Sequence, residues 1–286
     1  MQKIQILHLD THAFQYKLKQ DMTPLQLMDL FCISKKKWNQ YPFKNNQTTS
    51  IQYDTVLKKD SICTHTFTPM NYYAYSEESI EILYEDTICI VVNKPPFLLV
   101  HDDGNDTDTL QNRVNSYLFE SGWPFSAQAI HRIDYETSGI LLFSKFPFFQ
   151  GLLDKQFERH DVIKEYYALV EGRLPFKDKT IDSPISRNRH VSNAMIVHPK
   201  GKRSISHIHV EKIKKNTLVK VKIDTGRKHQ IRVHMASIHH PIINDPIYGH
   251  VIDDRGLLLQ NFHLKFYQPV LNEWIDIQID LDPRMK

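Results

Sequence analysis

Apolar and polar positions alternate in short stretches along most of this 286-residue chain, and only a few segments carry helical spacing. TICIVVNKPP (87–96) reads as a buried strand stopped by prolines. SGILLFSK (138–145), KEYYALVEG (164–172), SISHIHVEKI (204–213), TLVKVKID (217–224) and NEWIDIQI (272–279) read as further strands. Helical spacing occurs in DTLQNRVNSYLFE (108–120), at Leu110, Val114 and Leu118 with Asp108 as its cap, and in FQGLLDKQFERHD (149–161). It recurs in RKHQIRVHMASI (227–238) at Ile231, His234, Met235 and Ile238. Many strands follow one another without regular βα alternation. The class this predicts is α+β, a mixed and largely antiparallel central sheet with flanking helices.

The first part of the chain reads as a unit of its own. A strand in KIQILHL leads to a helix around Thr23–Phe31, a basic segment Ser34–Trp38 and the polar loop KNNQTTS (44–50). SIQYDTVLKKDSICTHTF (50–67) alternates like strands around a turn. The predicted division is a small N-terminal αβ module over 1–68, a linker over 69–81 and a main domain over 82–286.

Composition narrows the classes. Hydrophobic residues at 41% and charged residues at 24% are ordinary for a globular protein. No apolar run approaches the roughly 18 residues of a membrane span, and the first residues lack a signal-peptide core. Cys32, Cys63 and Cys89 are far apart, so neither a disulfide framework nor a cysteine metal site is expected, and a cytoplasmic setting is. The 16 histidines form no metal-ligand spacing; His239-His240 precedes Pro241 in loop-like sequence. Net charge is only +3, but it is unevenly spread: Arg187, Arg189, Lys200, Lys202 and Arg203 follow one another with no acidic residue between them. Such a run is either a solvated face or a phosphate-tracking patch.

Three stretches carry candidate chemistry. In AIHRIDYETSGILLFSK (129–145), Asp134 stands between Arg132 and the small turn Thr137-Ser138-Gly139, whose N–H groups and hydroxyls can favour a carboxylate. A carboxylate so presented can act as nucleophile or base. A glycosidase would need a second acid, for which Glu136 is the local candidate. Strand alternation puts Lys164 and Tyr166 on one face and Glu165 and Tyr167 on the other, and a tyrosine on a pocket face can stack on a base. In TGRKHQIRVHMA (225–236), Arg227, Lys228, His229 and Arg232 crowd together. On a helix Lys228 and Arg232 would share a face, a pairing that asks for an anion.

Taken in order, HRIDYETSGILLFSK, KEYYALVEG and TGRKHQIRVH resemble the signature segments of the RluA-type pseudouridine synthases. ILYEDTICIVVNKPP and HPIINDPIYG match further segments, so the resemblance covers roughly residues 80–280. It implies a largely antiparallel sheet with the site in a cleft across it. It also implies isomerisation of uridine to pseudouridine in structured RNA, without cofactor or metal, by a chain acting as a monomer. Large-subunit ribosomal RNA is the substrate it favours, transfer RNA the next. Asp134 would be the nucleophilic aspartate, Tyr166 would stack on the uracil and assist proton transfer, and Arg232 would pair with Asp134 and keep it ionised. Arg132 would fill the gap left by the flipped nucleotide. His131 and the Thr137-Ser138-Gly139 turn would brace the loop, and His131, Lys164, Arg187, Arg227, Lys228 and His229 would complete the RNA contacts. Phe97 and Asn244 stand where the family usually has glycine, and Gln260 where it has histidine. The Arg187–Met195 stretch matches loosely, with Asn193 and Ala194 at positions where basic residues are common. These departures touch substrate choice before chemistry. Residues 1–68 resemble the small RNA-binding module often fused to these synthases, with a plain structural extension as the other reading. A catalytically silent RNA-binding protein on the same fold is the rival function.

Overall fold

A computed structural model describes residues 1–47, 51–69, 73–102 and 108–286. The end of the polar loop (48–50) and residues 70–72 of the expected linker lie outside the described residues. Among the described residues no helix is long and apolar enough to cross a membrane.

A ten-stranded sheet organises the chain from residue 81 onward. Its main path runs Asp178–Asp182, Ile205–Ile213, Thr217–Ile223, Ile163–Val170, Leu259–Gln268, Ser138–Ser144, Cys89–Lys94, Glu81–Glu85. Glu273–Gln278 pairs with Leu259–Gln268, and Gln128–Ala129 pairs with Ser138–Ser144. Every pairing is antiparallel except that of Leu259–Gln268 with Ser138–Ser144, where Asn261 lies opposite Gly139. The mixed, largely antiparallel α+β expectation is met. At the parallel junction a Cβ on Gly139 would lie 2.1 Å from the Asn261 carbonyl oxygen, and φ there is +116°. Only glycine fits this approach, and it brings the end of the Asp134 loop down onto the centre of the sheet.

The central strands are buried on both faces, which explains their unbroken apolar runs. Along Cys89–Lys94 and Ser138–Ser144, Cys89, Val91, Ile140 and Leu142 enter one core while Ile90, Val92, Leu141 and Phe143 enter another. The second core is closed by Leu110, Val114 and Leu118 of the helix Leu110–Glu120 and by Ile231 and Met235 of the helix Gln230–Ser237, and it contains Tyr166. The first is closed by Leu153 of the helix Gln150–Glu158 and by the N-terminal unit.

That unit is a four-stranded antiparallel sheet in the order Ile4–Leu9, Ala13–Leu18, Ile62–Thr66, Phe43–Asn45. Its helix Pro24–Phe31 begins with a capping box between Thr23 and Gln26 and ends at Cys32 in a left-handed conformation. Phe14 packs edge-on against Phe149 of the main body and Phe31 lies tilted against Phe148, with centroids 5.2 Å apart in both pairs. The unit therefore shares a core with the large sheet, on the face opposite Tyr166.

Several local expectations need correction. The cap of helix Leu110–Glu120 is Thr109, whose hydroxyl accepts the Asn112 N–H at 3.2 Å; Asp108 instead receives Arg113 Nε at 2.9 Å. Among the described residues of this stretch, 51–67, only Ile62–Thr66 forms a strand, and Leu57 makes a single bridge to Met22. The strand Glu81–Glu85 begins inside the expected linker. Lys228 does not share a helical face with Arg232. Gln230 is the first helical residue and His229, at φ 54°, is its left-handed cap, so Lys228 sits in the preceding turn. The strands Ala13–Leu18, Asp178–Asp182 and Leu259–Gln268 were not anticipated. The last is the centre of the sheet, but its Gln260, Asn261, His263 and Lys265 mask the apolar alternation.

Candidate active site

Asp134 opens a turn closed by the Thr137 N–H, which donates to the Asp134 carbonyl at 3.1 Å. The loop is held from the NKPP side as well. The Tyr135 carbonyl accepts both the Phe97 N–H (2.9 Å) and Lys94 Nζ (3.0 Å). The fully buried Lys94 also donates to the carbonyls of Pro95 and Leu98, each at 2.8 Å. Burial brings its pKa down to about 7, against the upward pull of Glu136 and Asp134.

The Asp134 side chain is 22% exposed at a cleft of about 290 Å³, and Arg232, 1% exposed, supports it from below. Arg232 Nη1 lies 3.1 Å from Asp134 Oδ2 and 3.5 Å from Glu136 Oε2. The other edge of the guanidinium grips Asp245, Nε to Oδ2 at 2.7 Å and Nη2 to Oδ1 at 2.9 Å. Burial works against the Arg232 charge, but the hydrogen bonds to Asp245 and the charges of Asp245, Asp134 and Glu136 outweigh it and raise its pKa. Asp245 is itself fixed by the N–H groups of Ile247 (2.9 Å) and Tyr248 (3.1 Å).

Tyr166 lines the same cleft. Its backbone pairs with Val221 on one side and Asn261 on the other, so both strand neighbours fix where the ring projects. Burial and then the Asp134 charge raise its hydroxyl pKa, so it is held as a neutral phenol rather than as a base. His229 also lines the cleft. Its Nδ1 lies 3.0 Å from the Tyr248 hydroxyl and its Nε2 3.9 Å from Asp134 Oδ2.

The three expected catalytic side chains, Asp134, Tyr166 and Arg232, are thus brought to one cleft, with Arg132, Arg227, Lys228 and His229 along its walls. His131 lies beneath the loop. Its ring stacks on Phe157 at 4.8 Å, and Nε2 accepts the Leu142 N–H at 3.2 Å. Lys164 is buried with Nζ 5.6 Å from the Phe157 ring centre. Arg187 is elsewhere. It belongs to the two-stranded ribbon Ile185–Arg187/Met195–Val197, whose hollow it lines with Arg189, His198 and Lys200. Reasoning from the sequence passed over Asp245 and Tyr248. The available signal was an acid and a tyrosine three residues apart in NDPIYG, within a segment already set beside the family pattern.

The sequence matches the family described as RNA pseudouridylate synthase over residues 88–237, a span that holds Asp134, Tyr166, His229 and Arg232. It is 30% identical over 267 residues to the ribosomal large subunit pseudouridine synthase D of Zymomonas mobilis, covering 85% of this chain and 83% of that protein. It is 35% identical over 174 residues to the uncharacterized RNA pseudouridine synthase YhcT of Bacillus subtilis, covering 59% of this chain. There the match spans little more than half of the relative, 58% of its length. Among solved structures it resembles human RNA pseudouridylate synthase domain containing 1, with a TM-score of 0.62, 26% identity and coverage of 74% of this chain and 87% of that one.

Proposed function

The chain belongs to the RNA pseudouridylate synthase family, of the RluA type, and from that premise we propose that it isomerises uridine to pseudouridine in large-subunit ribosomal RNA, with Asp134 as the nucleophile. The observation that carries this reading is the ionic stack at the cleft: a partly exposed Asp134 carboxylate on a buried Arg232, itself held by the buried Asp245. A buried guanidinium between fixed carboxylates stays charged and does not move, so the partly exposed Asp134, with Glu136 beside it, is presented in a set orientation.

In this reading the target nucleotide leaves its stack, at a cost of a few kcal/mol. Its uracil enters the cleft against the neutral Tyr166 ring, where stacking on an aromatic side chain returns about 1–3 kcal/mol. Arg132, exposed on the rim, occupies the vacated place in the RNA. Asp134 adds to the nucleotide, the N1–C1′ bond breaks, the uracil turns, C5 bonds to C1′ and the bond to Asp134 breaks, which returns the free carboxylate. C5 then loses its proton and N1 takes one up, so atoms and electrons balance within an isomerisation. The raised hydroxyl pKa of Tyr166 favours a stacking role over that of the base removing the C5 proton. Arg187, Arg189 and Lys200, on the ribbon beside the helix that carries Arg232, supply cationic contacts to phosphates.

The test is to incubate the protein with unmodified ribosomal and transfer RNA transcripts and analyse the nucleosides by mass spectrometry. A new nucleoside isobaric with uridine but carbon-linked, in a ribosomal transcript, is the expected result. Free uracil with an abasic site would replace this reading with a glycosylase. Binding without any change in the nucleosides would replace it with a silent RNA-binding protein.

A further inference from the structure

One chain of contacts leads out of the cleft to the basic ribbon. The Met195 N–H, on the ribbon strand Met195–Val197, donates to the Tyr248 hydroxyl at 2.7 Å. That hydroxyl lies 3.0 Å from His229 Nδ1, and His229 Nε2 lies 3.9 Å from Asp134 Oδ2. His229 is 8% exposed and keeps a left-handed backbone, φ 54°, at the start of its helix.

The direction of each bond follows from which arrangement gives every donor an acceptor. A tyrosine hydroxyl has one hydrogen to give, and a neutral imidazole carries one ring proton. The Tyr248 oxygen already accepts from Met195, so its own hydrogen is free to point at His229 Nδ1, which leaves the ring proton on Nε2. The opposite tautomer would turn a bare Nε2 lone pair toward the Asp134 carboxylate and leave the Tyr248 hydrogen without use. Burial, only partly opposed by the Asp134 charge, brings the His229 pKa down to about 4, which keeps the ring neutral at pH 7.

We infer that Tyr248 is a positioning residue: its hydroxyl, anchored by the ribbon, fixes His229 in the Nε2–H tautomer and so aims a second donor, besides Arg232, at Asp134 and whatever group Asp134 attacks. The basic ribbon, which on the proposed function meets the RNA backbone, is thereby joined through two hydrogen bonds to His229, whose Nε2 faces the reacting carboxylate at 3.9 Å. The inference rests on that reading for its catalytic consequence but not for the tautomer.

Two measurements test it. Nitrogen-15 spectra of the full chain labelled at histidine report which ring nitrogen is protonated, with the His229 signal identified by its loss in His229→Asn. The expected result is a protonated Nε2 in the wild type and a mixture of tautomers in Tyr248→Phe. A wild-type ring protonated at Nδ1 would overturn the inference, whether or not the protein modifies RNA. In turnover on the responsive transcript, Tyr248→Phe keeps the ring beside Arg232 and is expected to lower kcat about tenfold, the scale of one lost hydrogen bond, with KM within about twofold. Unchanged kcat, or a loss confined to KM, would overturn it. If no transcript yields pseudouridine, the proposed function fails while the tautomer result still stands on its own.

Discussion

Asp245 holds Arg232 through two near-parallel hydrogen bonds, 2.7 and 2.9 Å long, between side chains that are 0% and 1% exposed. The pair is the floor on which Asp134 rests, yet Asp245 itself stands one residue removed from the cleft. Asparagine there keeps one acceptor but turns an NH2 toward the guanidinium, so the buried charge loses its carboxylate and one of the two bonds. Asp245→Asn is therefore expected to cost on the order of 3 kcal/mol of stability, as for other broken buried pairs, and to lower turnover with little effect on RNA affinity. Urea unfolding and steady-state kinetics on the same preparation check both parts.

The two histidines next to the Asp134 loop make stability depend on pH. Burial, helped by the Lys164 charge, takes the His131 pKa from 6.5 to about 3, and burial takes that of His229 from 6.5 to about 4. His131 Nε2 is an acceptor for the Leu142 N–H, so protonating it also breaks a bond. Between these values and 6.5 the unfolded chain binds protons that the folded chain refuses. The contribution is thus complete above pH 6.5 and is lost as pH falls toward 4, by about 1.4 kcal/mol per unit for each ring. The urea midpoint should drop from pH 7 to pH 5, and the drop should shrink in a His131→Asn, His229→Asn double variant. Equal drops in the two proteins would contradict the assignment.

Asn244 shows how a family glycine can be replaced. It sits at φ 62°, a region asparagine tolerates. Its amide gives Nδ2 to Asp253 Oδ1 (2.7 Å) and to the Gly256 carbonyl (3.0 Å), while Oδ1 accepts the Asp253 N–H (2.6 Å). Asn244→Gly keeps the backbone and loses the bonds; Asn244→Ala loses both. The alanine variant should be the less stable of the two by about 1 kcal/mol, as read from thermal unfolding.

Phe148 lies at the seam between the N-terminal unit and the large sheet. It is fully buried, with its ring against Phe14, Phe31 and Phe67 on one side and Phe149 on the other. Phe148→Ala should cost about 3–5 kcal/mol. It should also lower amide protection in Ala13–Leu18 and Ser138–Ser144 together, as measured by hydrogen exchange. Loss confined to the first strand would mean that the two bodies are held separately.

Much of the main body is legible because its strands either alternate with a period of two, as Ile163–Val170 does, or run unbroken where both faces are buried: Ile140 to Phe143 read as a core strand from composition alone. Leu259–Gln268 was not legible, because Asn261 and Gln260 turn inward to bond the Ile140 carbonyl and the backbone of Asp280 and Asp282, so polar residues occupy core positions. The start of the helix at Gln230 is not legible, because a left-handed His229 has no signature in a basic run. Asp134, Tyr166 and Arg232 were found through ordered motifs rather than periodicity, since nothing local says that residues 32 and 98 positions from Asp134 meet at one cleft. Asp245 escaped notice because its meaning lies in the partner it holds, and that partner is visible only in the folded chain.

The most direct test of the central claim is tritium release from transcripts labelled at uridine C5, run side by side with the wild type and Asp134→Ala. Release by the wild type from ribosomal RNA, with none above background from a folded Asp134→Ala protein that still binds the transcript, is the predicted result. Equal release from both proteins would contradict the assignment of Asp134 as the nucleophile.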